Sequence, residues 1–297
     1  MKNTTGIPLG RYIDPLTDFG FKRIFGSEPD RDLLIAFLNA LFKERKVISD
    51  LVYNPQENSG PVKHYRKTVF DLTCTGGNGE TFIIEMQRAD QKFFTDRAVF
   101  YTASKLYGQG PKGDKRWNFE LNEVYFVGLA DFNFNHTRPG KYLHRVQLTE
   151  EETGEIFYKK LGFIFLELPN FNQEEGAVKT ELECWLYMLR NMGKMEKIPV
   201  ILNKKVFQKL FKIAEVSNLK EEEYMLYQKD VLDKWTEYSV LKTAEDKGIE
   251  KGAEQKSYEV VSNLLSSTDF GIAKIALLSG VTKGFVKKVQ DSLKEKK

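Results

Sequence analysis

Cysteine and histidine are scarce in this chain of 297 residues, with only Cys74 and Cys184 and only His64, His136 and His144. The two cysteines lie far apart and match no CxxC spacing, which argues against a disulfide framework or a thiolate zinc site. The histidines are too scattered for a histidine-built metal centre. His136 and His144 fall in a loop-and-strand region and read as surface or packing residues. No stretch approaches 18 apolar residues, so no transmembrane helix and no membrane partner are expected. The opening MKNTTGIPLGRYIDPL lacks an apolar h-region, so no signal peptide is expected either. Scarce cysteine and no such segment together fit a reduced, cytoplasmic compartment. Charge excess is small as well. A net charge of +3 neither requires nor excludes a nucleic-acid partner, because local patches matter more than the sum. Internal repeats and long low-complexity tracts are absent.

What the chain does have is an ordinary globular balance, 41% hydrophobic and 29% charged, with phenylalanine leading a rather high aromatic content. Its length allows one large domain or two smaller ones. Residues 31–43 read as a helix with Leu33, Leu34, Phe37, Leu38 and Leu41 on one face, and Asp30 is placed to cap it. Residues 16–25 are a short helix or an ordered loop. Two apolar, β-branched runs, 66–75 and 80–87, flank Gly76-Gly77-Asn78-Gly79, a strong hairpin signal. A helix follows over 93–107, with Phe94, Ala98, Tyr101 and Leu106 as candidate buried positions. Residues 123–130, nearly all apolar, have the pattern of a strand buried on both faces. Residues 142–148 and 162–168 are further strands. A helix is expected over 181–192, with Trp185, Leu186 and Leu189 on one side. Only helices follow residue 204. Gly248 and Gly252 make 247–255 a frayed helix or a linker.

The hairpin concentrates the chemistry. Glu85 and Gln87 are two apart on a strand and share a face, opposite Phe82, Ile84 and Met86. A polar pair ending an apolar strand is costly to bury unless it binds something. Whether Asp71 joins them depends on register. A three-residue loop, Gly77-Asn78-Gly79, sets Asp71 directly across from Glu85, with Cβ atoms roughly 5 Å apart. A two-residue loop, Gly77-Asn78, sets Asp71 against Ile84 and turns it away, because a one-residue slip flips every side chain. Gly79 favours the first register, since a G1 bulge places glycine there. Two carboxylates so close repel as ions, and a hard cation such as Mg²⁺ or Mn²⁺ relieves this. Solvated surface carboxylates are the plain alternative.

The segments DPLTDFGFKRIFG (14–26) and FLNAL (37–41), then Asp71, Glu85-Met86-Gln87, Phe94, Arg97 and Tyr101, and the Lys/Glu-rich tail with Gly248 and Gly252 resemble the PD-(D/E)XK nuclease family transposases, relatives of the recombination-promoting nucleases. The resemblance covers most of the chain. It implies an α/β fold, a restriction-endonuclease-like mixed sheet flanked by helices, followed by a helical C-terminal region. It implies a metal-dependent DNA endonuclease that hydrolyses phosphodiester bonds, linked to transposition or recombination, with Asp71 and Glu85 holding Mg²⁺ or Mn²⁺. Gln87 stands where many members of the superfamily carry lysine, a departure shared by this transposase-like branch. The alternative is a nuclease fold without catalysis that binds DNA or protein. Asp18 and Lys22, four apart, belong to the family's first block and extend the catalytic set, or else form a structural ion pair. Arg97 and Tyr101, also four apart, are candidates to face DNA phosphate, with an arginine stacked on a surface tyrosine as the bland equivalent.

The expected division is 1–200, the nuclease-like domain that the resemblance implies, 201–252, a helical extension or linker, and 253–297, a small helix-turn-helix-like tail. In that tail Ala276, Gly280 and Val286 have helix-turn-helix spacing, with Ile275, Val281 and Val289 as its core. Lys283, Lys287 and Lys288 on the second helix suit phosphate contact more than base reading. An ordinary αα-hairpin is the competing reading. A homo-oligomer is compatible with all of this.

Overall fold

A computed structural model describes residues 9–54, 57–58, 68–69, 71–90, 92–111, 117–134 and 138–295. His64 and His136, and parts of the first hairpin strand as read from sequence, lie outside these residues. The described chain forms two compact units, divided between Lys234 and Trp235.

In the first unit, helices α1 (Asp18–Phe25) and α2 (Arg31–Phe42) precede strands β1 (Leu51–Tyr53), β2 (Glu57–Asn58), β3 (Thr68–Val69), β4 (Leu72–Gly76) and β5 (Thr81–Gln87). Then come α3 (Phe94–Tyr107), β6 (Val124–Ala130), β7 (Leu143–Thr149), β8 (Ile156–Glu167), α4 (Glu181–Asn191) and α5 (Lys205–Ile213). The main sheet has six strands in the order β1-β4-β5-β6-β8-β7, and β2 pairs with β3 apart from it. Its centre, β5-β6-β8, is parallel, while β1-β4, β4-β5 and β7-β8 are antiparallel.

Segment 16–25 resolves into a helix because Thr17 caps it, its hydroxyl accepting from the Gly20 N–H (3.0 Å). Asp30 stands at the N-cap of α2 but makes no capping bond. Its carboxylate is drawn instead to the Ser27 hydroxyl and to Lys209. Strand β6 is apolar throughout because it lies between two parallel partners with both faces covered. On one face Phe82, Ile84 and Met86 pack into the larger core with α1, α2, α4 and α5. On the other, Ile83 meets Phe94 and Ala98 of α3 with Phe126, Phe163 and Phe165. The hydrophobic periodicity of α3 holds, with Thr102 buried as well and Tyr101 and Leu106 partly so. His144 is a packing residue, beside the Phe134 ring and 2.6 Å from the buried Glu167 carboxylate.

Helix α6 (Glu221–Ser267) is continuous through 247–255, so the expected fraying at Gly248 and Gly252 is not seen. The Lys/Glu-rich turns around them supply enough helix-favouring residues to carry two glycines. In the second unit, α7 (Ile272–Ser279) and α8 (Lys283–Glu295) flank Gly280, whose φ of +67° makes the αL turn the sequence spacing called for. Ile275, Ala276, Val286 and Val289 form a small core with Val261 of α6, and Val281 packs at its edge. Lys283, Lys287 and Lys288 are exposed on α8.

Candidate active site

The hairpin turn decides the site. Gly76 N–H donates to the Glu80 carbonyl (2.8 Å), Gly79 N–H donates to the Gly76 carbonyl (3.0 Å), and Gly79 has φ +84°. This is the three-residue loop with its bulge glycine. The ladder runs from Thr75↔Thr81 to Leu72↔Ile84, so Asp71, one residue before β4, comes across from Glu85. The Asp71 carboxylate is pinned there by the Met86 N–H, which donates to its Oδ2 (2.8 Å).

Glu85 is only 5% exposed. Its Oε1 is buried and has no hydrogen-bond partner among the described residues. Burial first, then the charge of Asp71, pushes its pKa up to about 8, against the opposing pull of Arg97. Asp71 is raised too, chiefly by burial, with Asp18 adding to the rise and the Met86 N–H, Lys22 and Arg97 opposing it. A raised carboxyl favours the neutral folded state, so its stabilising effect is complete below the unfolded pKa and fades as pH climbs toward the folded value. Thermal unfolding of the metal-free protein should therefore show stability falling between about pH 5 and 8, by an amount on the order of 2 kcal/mol. Glu85→Gln should flatten that profile and raise the melting temperature at pH 8. An unchanged slope in the variant would show that Glu85 does not set it.

Gln87 is held at both ends of its amide. Its Oε1 accepts from Arg97 Nη2, and its Nε2 donates to the Ala89 carbonyl (3.2 Å). Arg97 also lies 3.9 Å from Glu85 Oε2 and over the Phe94 ring at 5.3 Å. One turn further on, Tyr101 is partly buried against the α3-side core. Asp18 and Lys22 form an i,i+4 ion pair (2.8 Å), both largely exposed. They line a cleft of about 500 Å³ between α1 and the start of α6, walled also by Arg23, Glu223 and Asp230. Their charges act on Asp71 in opposite directions, Asp18 raising its pKa and Lys22 lowering it.

The structure thus brings together Asp71, Glu85, Gln87 and Arg97, and sets Asp18 and Lys22 beside them. The grip of Arg97 on Gln87 was not legible in the sequence, because a ten-residue spacing from a strand end to a helix carries no pattern of its own. The Met86 N–H bond escaped for a simpler reason, being a backbone contact. Among the described residues no group of three or more His, Cys, Asp or Glu is placed to hold a metal ion. Asp71 and Glu85 therefore stand as a pair. An orphaned carboxylate oxygen in a buried pair suits a hard cation, and Mg²⁺ often binds through one or two carboxylates while keeping several waters.

A mixed sheet flanked by helices, carrying an acidic pair on its central hairpin, is the restriction-endonuclease-like α/β architecture. The sequence model of the PD-(D/E)XK nuclease family transposases matches residues 15–244, and the chain belongs to that family. No curated protein and no solved structure shows a significant match.

Proposed function

We propose that the protein is a metal-dependent DNA endonuclease, hydrolysing phosphodiester bonds in a setting linked to transposition or recombination. The observation that carries this reading is the buried, partnerless Glu85 Oε1 facing Asp71 across the hairpin. Nucleases of this superfamily generally use divalent ions, and here Asp71 and Glu85 would hold one, Mg²⁺ or Mn²⁺. Bound there, such an ion lowers the pKa of a water and offsets charge on a phosphoryl oxygen.

The chain's own groups do the rest. Gln87 has no proton to exchange, but its amide is fixed on both sides, and its second N–H orients the attacking water. Arg97 holds that amide and brings a permanent positive charge to a site whose strand position lacks lysine. Lys22 contributes a second charge from α1, balanced by Asp18. Tyr101 on α3, and Lys283, Lys287 and Lys288 on the exposed side of α8, contact DNA phosphates. No helix among the described residues is long and apolar enough to cross a membrane.

Gln87→Ala should lower cleavage by roughly 10–100-fold, the range for a group that orients a reactant, while leaving Mn²⁺ affinity largely intact. Arg97→Ala should match it, since the amide then loses its anchor, and Arg97→Lys should recover part of the loss. Calorimetric titration with Mn²⁺ checks the division of labour. A fall in affinity with Gln87→Ala as large as with Asp71→Ala contradicts the role given to Gln87. Absence of any Mn²⁺ binding by the wild type at pH 8 overturns the metal reading itself.

A further inference from the structure

Buried threonine hydroxyls find partners here, with one exception among the described residues. The buried threonines are Thr17, Thr73 and Thr102. The Thr17 hydroxyl donates to the Asp14 carbonyl (2.8 Å) and accepts from the Gly20 N–H. The Thr102 hydroxyl reaches the carbonyls of Ala98 (2.8 Å) and Val99 (2.9 Å) in its own helix. Even the half-buried Thr75 hydroxyl accepts from Asn54 Nδ2 (2.8 Å). Thr73 is 1% exposed, and its Oγ1 bonds to nothing among the described residues. The backbone around it offers no help, because β4 lies between β1 and β5 and its peptide groups serve those two ladders. Valine would fill the same space without burying an unmatched oxygen.

The register shows where this hydroxyl sits. Leu72 and Cys74 face the larger core, so Thr73 between them faces α3. It stands opposite Ile83, which packs under α3. Glu85 is two residues beyond Ile83 on the same face, with Arg97 of α3 at 3.9 Å from its carboxylate. Thr73 and Glu85 are therefore diagonal neighbours across the hairpin, with Cβ atoms less than about 8 Å apart. Glu85 Oε1 is also buried without a hydrogen-bond partner among the described residues. The glutamate side chain covers much of the gap between them. Two neighbouring buried oxygens of this kind are what a shared ordered water satisfies.

We propose that Thr73 is a positioning residue for the acid pair: its hydroxyl and Glu85 Oε1 share one buried water, which holds the Glu85 carboxylate toward Asp71. The hydroxyl donates to the water, and the water donates to Oε1. An ionised carboxylate oxygen has two lone pairs, so Oε1 keeps one for the cation that Asp71 and Glu85 would hold. The role rests on that ion-binding reading and deepens it by adding a group behind the two acids. Groups that orient metal ligands from behind govern affinity nearly as strongly as the ligands do.

Two substitutions separate the hydroxyl from the shape. Thr73→Val keeps the shape and removes the oxygen, while Thr73→Ser keeps the oxygen and removes the methyl. Calorimetric titration of the full chain with Mn²⁺ at pH 8 should show affinity down about 10-fold in Thr73→Val and within about 3-fold of the wild type in Thr73→Ser. A role in packing alone gives the opposite order and overturns the proposal. Thermal unfolding without metal reads the link itself. Thr73→Val should lower the melting temperature by about 2–4 °C in the otherwise wild-type chain, where Glu85 loses its water. In a Glu85→Leu chain the same change should hold or raise it, because the hydroxyl there has no acid to serve. Equal shifts in the two chains overturn the link. Mn²⁺ binding by Thr73→Val as tight as by the wild type overturns the positioning role and leaves the acid pair as the ion site. A wild type that binds no Mn²⁺, with the two melting shifts still different, ends the ion reading and leaves the Thr73–Glu85 link standing.

Discussion

Asp71→Ala and Glu85→Ala should each reduce Mg²⁺-dependent relaxation of supercoiled plasmid by at least about 100-fold, a loss on the order of 3 kcal/mol of barrier lowering. Each removes half of a two-carboxylate site, and no third acidic, cysteine or histidine ligand among the described residues stands ready to compensate. The two variants should differ in stability. Glu85→Ala deletes a carboxyl that resists ionisation in the fold, so its melting temperature at pH 8 without metal should rise or hold. Asp71→Ala loses the Met86 N–H contact and leaves that donor inside the hairpin, so it should gain less or fall. Added Mg²⁺ should raise the melting temperature of the wild type, as any ligand of the folded state does, and leave both variants unmoved. Residual Mg²⁺-dependent cleavage within a few-fold of wild type in either variant would remove the enzyme reading.

Trp185→Ala should cost about 3–5 kcal/mol, with a fall in melting temperature on the order of 10 °C. Trp185 is fully buried on α4. Its ring meets Phe25 of α1 at 5.9 Å, Phe37 of α2 at 5.6 Å and Phe207 of α5 at 4.9 Å. One side chain thus ties four helices to each other and to the sheet face behind Phe82, Ile84 and Met86. Its truncation leaves a cavity that rigid neighbours cannot close. Trp185→Phe should cost much less, since it keeps most of the ring and removes an indole N–H that is buried without a partner. Activity should fall with Trp185→Ala through loss of folded protein. At temperatures where it remains folded, Mn²⁺ affinity should be near that of the wild type, which separates this variant from Asp71→Ala. A cost below about 1 kcal/mol would mean that the four helices do not depend on this contact.

Much of this was legible locally. Alternation put Glu85 and Gln87 on one face and Phe82, Ile84 and Met86 on the other, and the period-two geometry of a strand leaves no freedom there. Gly79 pointed to the bulged loop because only glycine takes its positive φ without strain. From that one residue the pairing of Asp71 with Glu85 followed. The reading of Asp30 as a side-chain cap failed because Lys209, 179 residues away in sequence, competes for the same carboxylate. The reading of 247–255 as a frayed helix or a linker failed because propensity is summed over a helix rather than decided at single residues.

Sequence alone placed the hairpin and set Glu85 and Gln87 on one face, and Gly79 favoured the register that brings Asp71 across from Glu85, since these depend on spacing, turn chemistry and the pleat, all properties of neighbouring residues; the pairing of the strands selected that register over its one-residue alternative. Tertiary structure decided how those acids behave and what surrounds them. Packing of α3 over the sheet buries Glu85, delivers Arg97 to Gln87 and turns Phe100 and Tyr107 outward. Burial and long-range approach depend on how separate elements meet, and no local pattern encodes that distance.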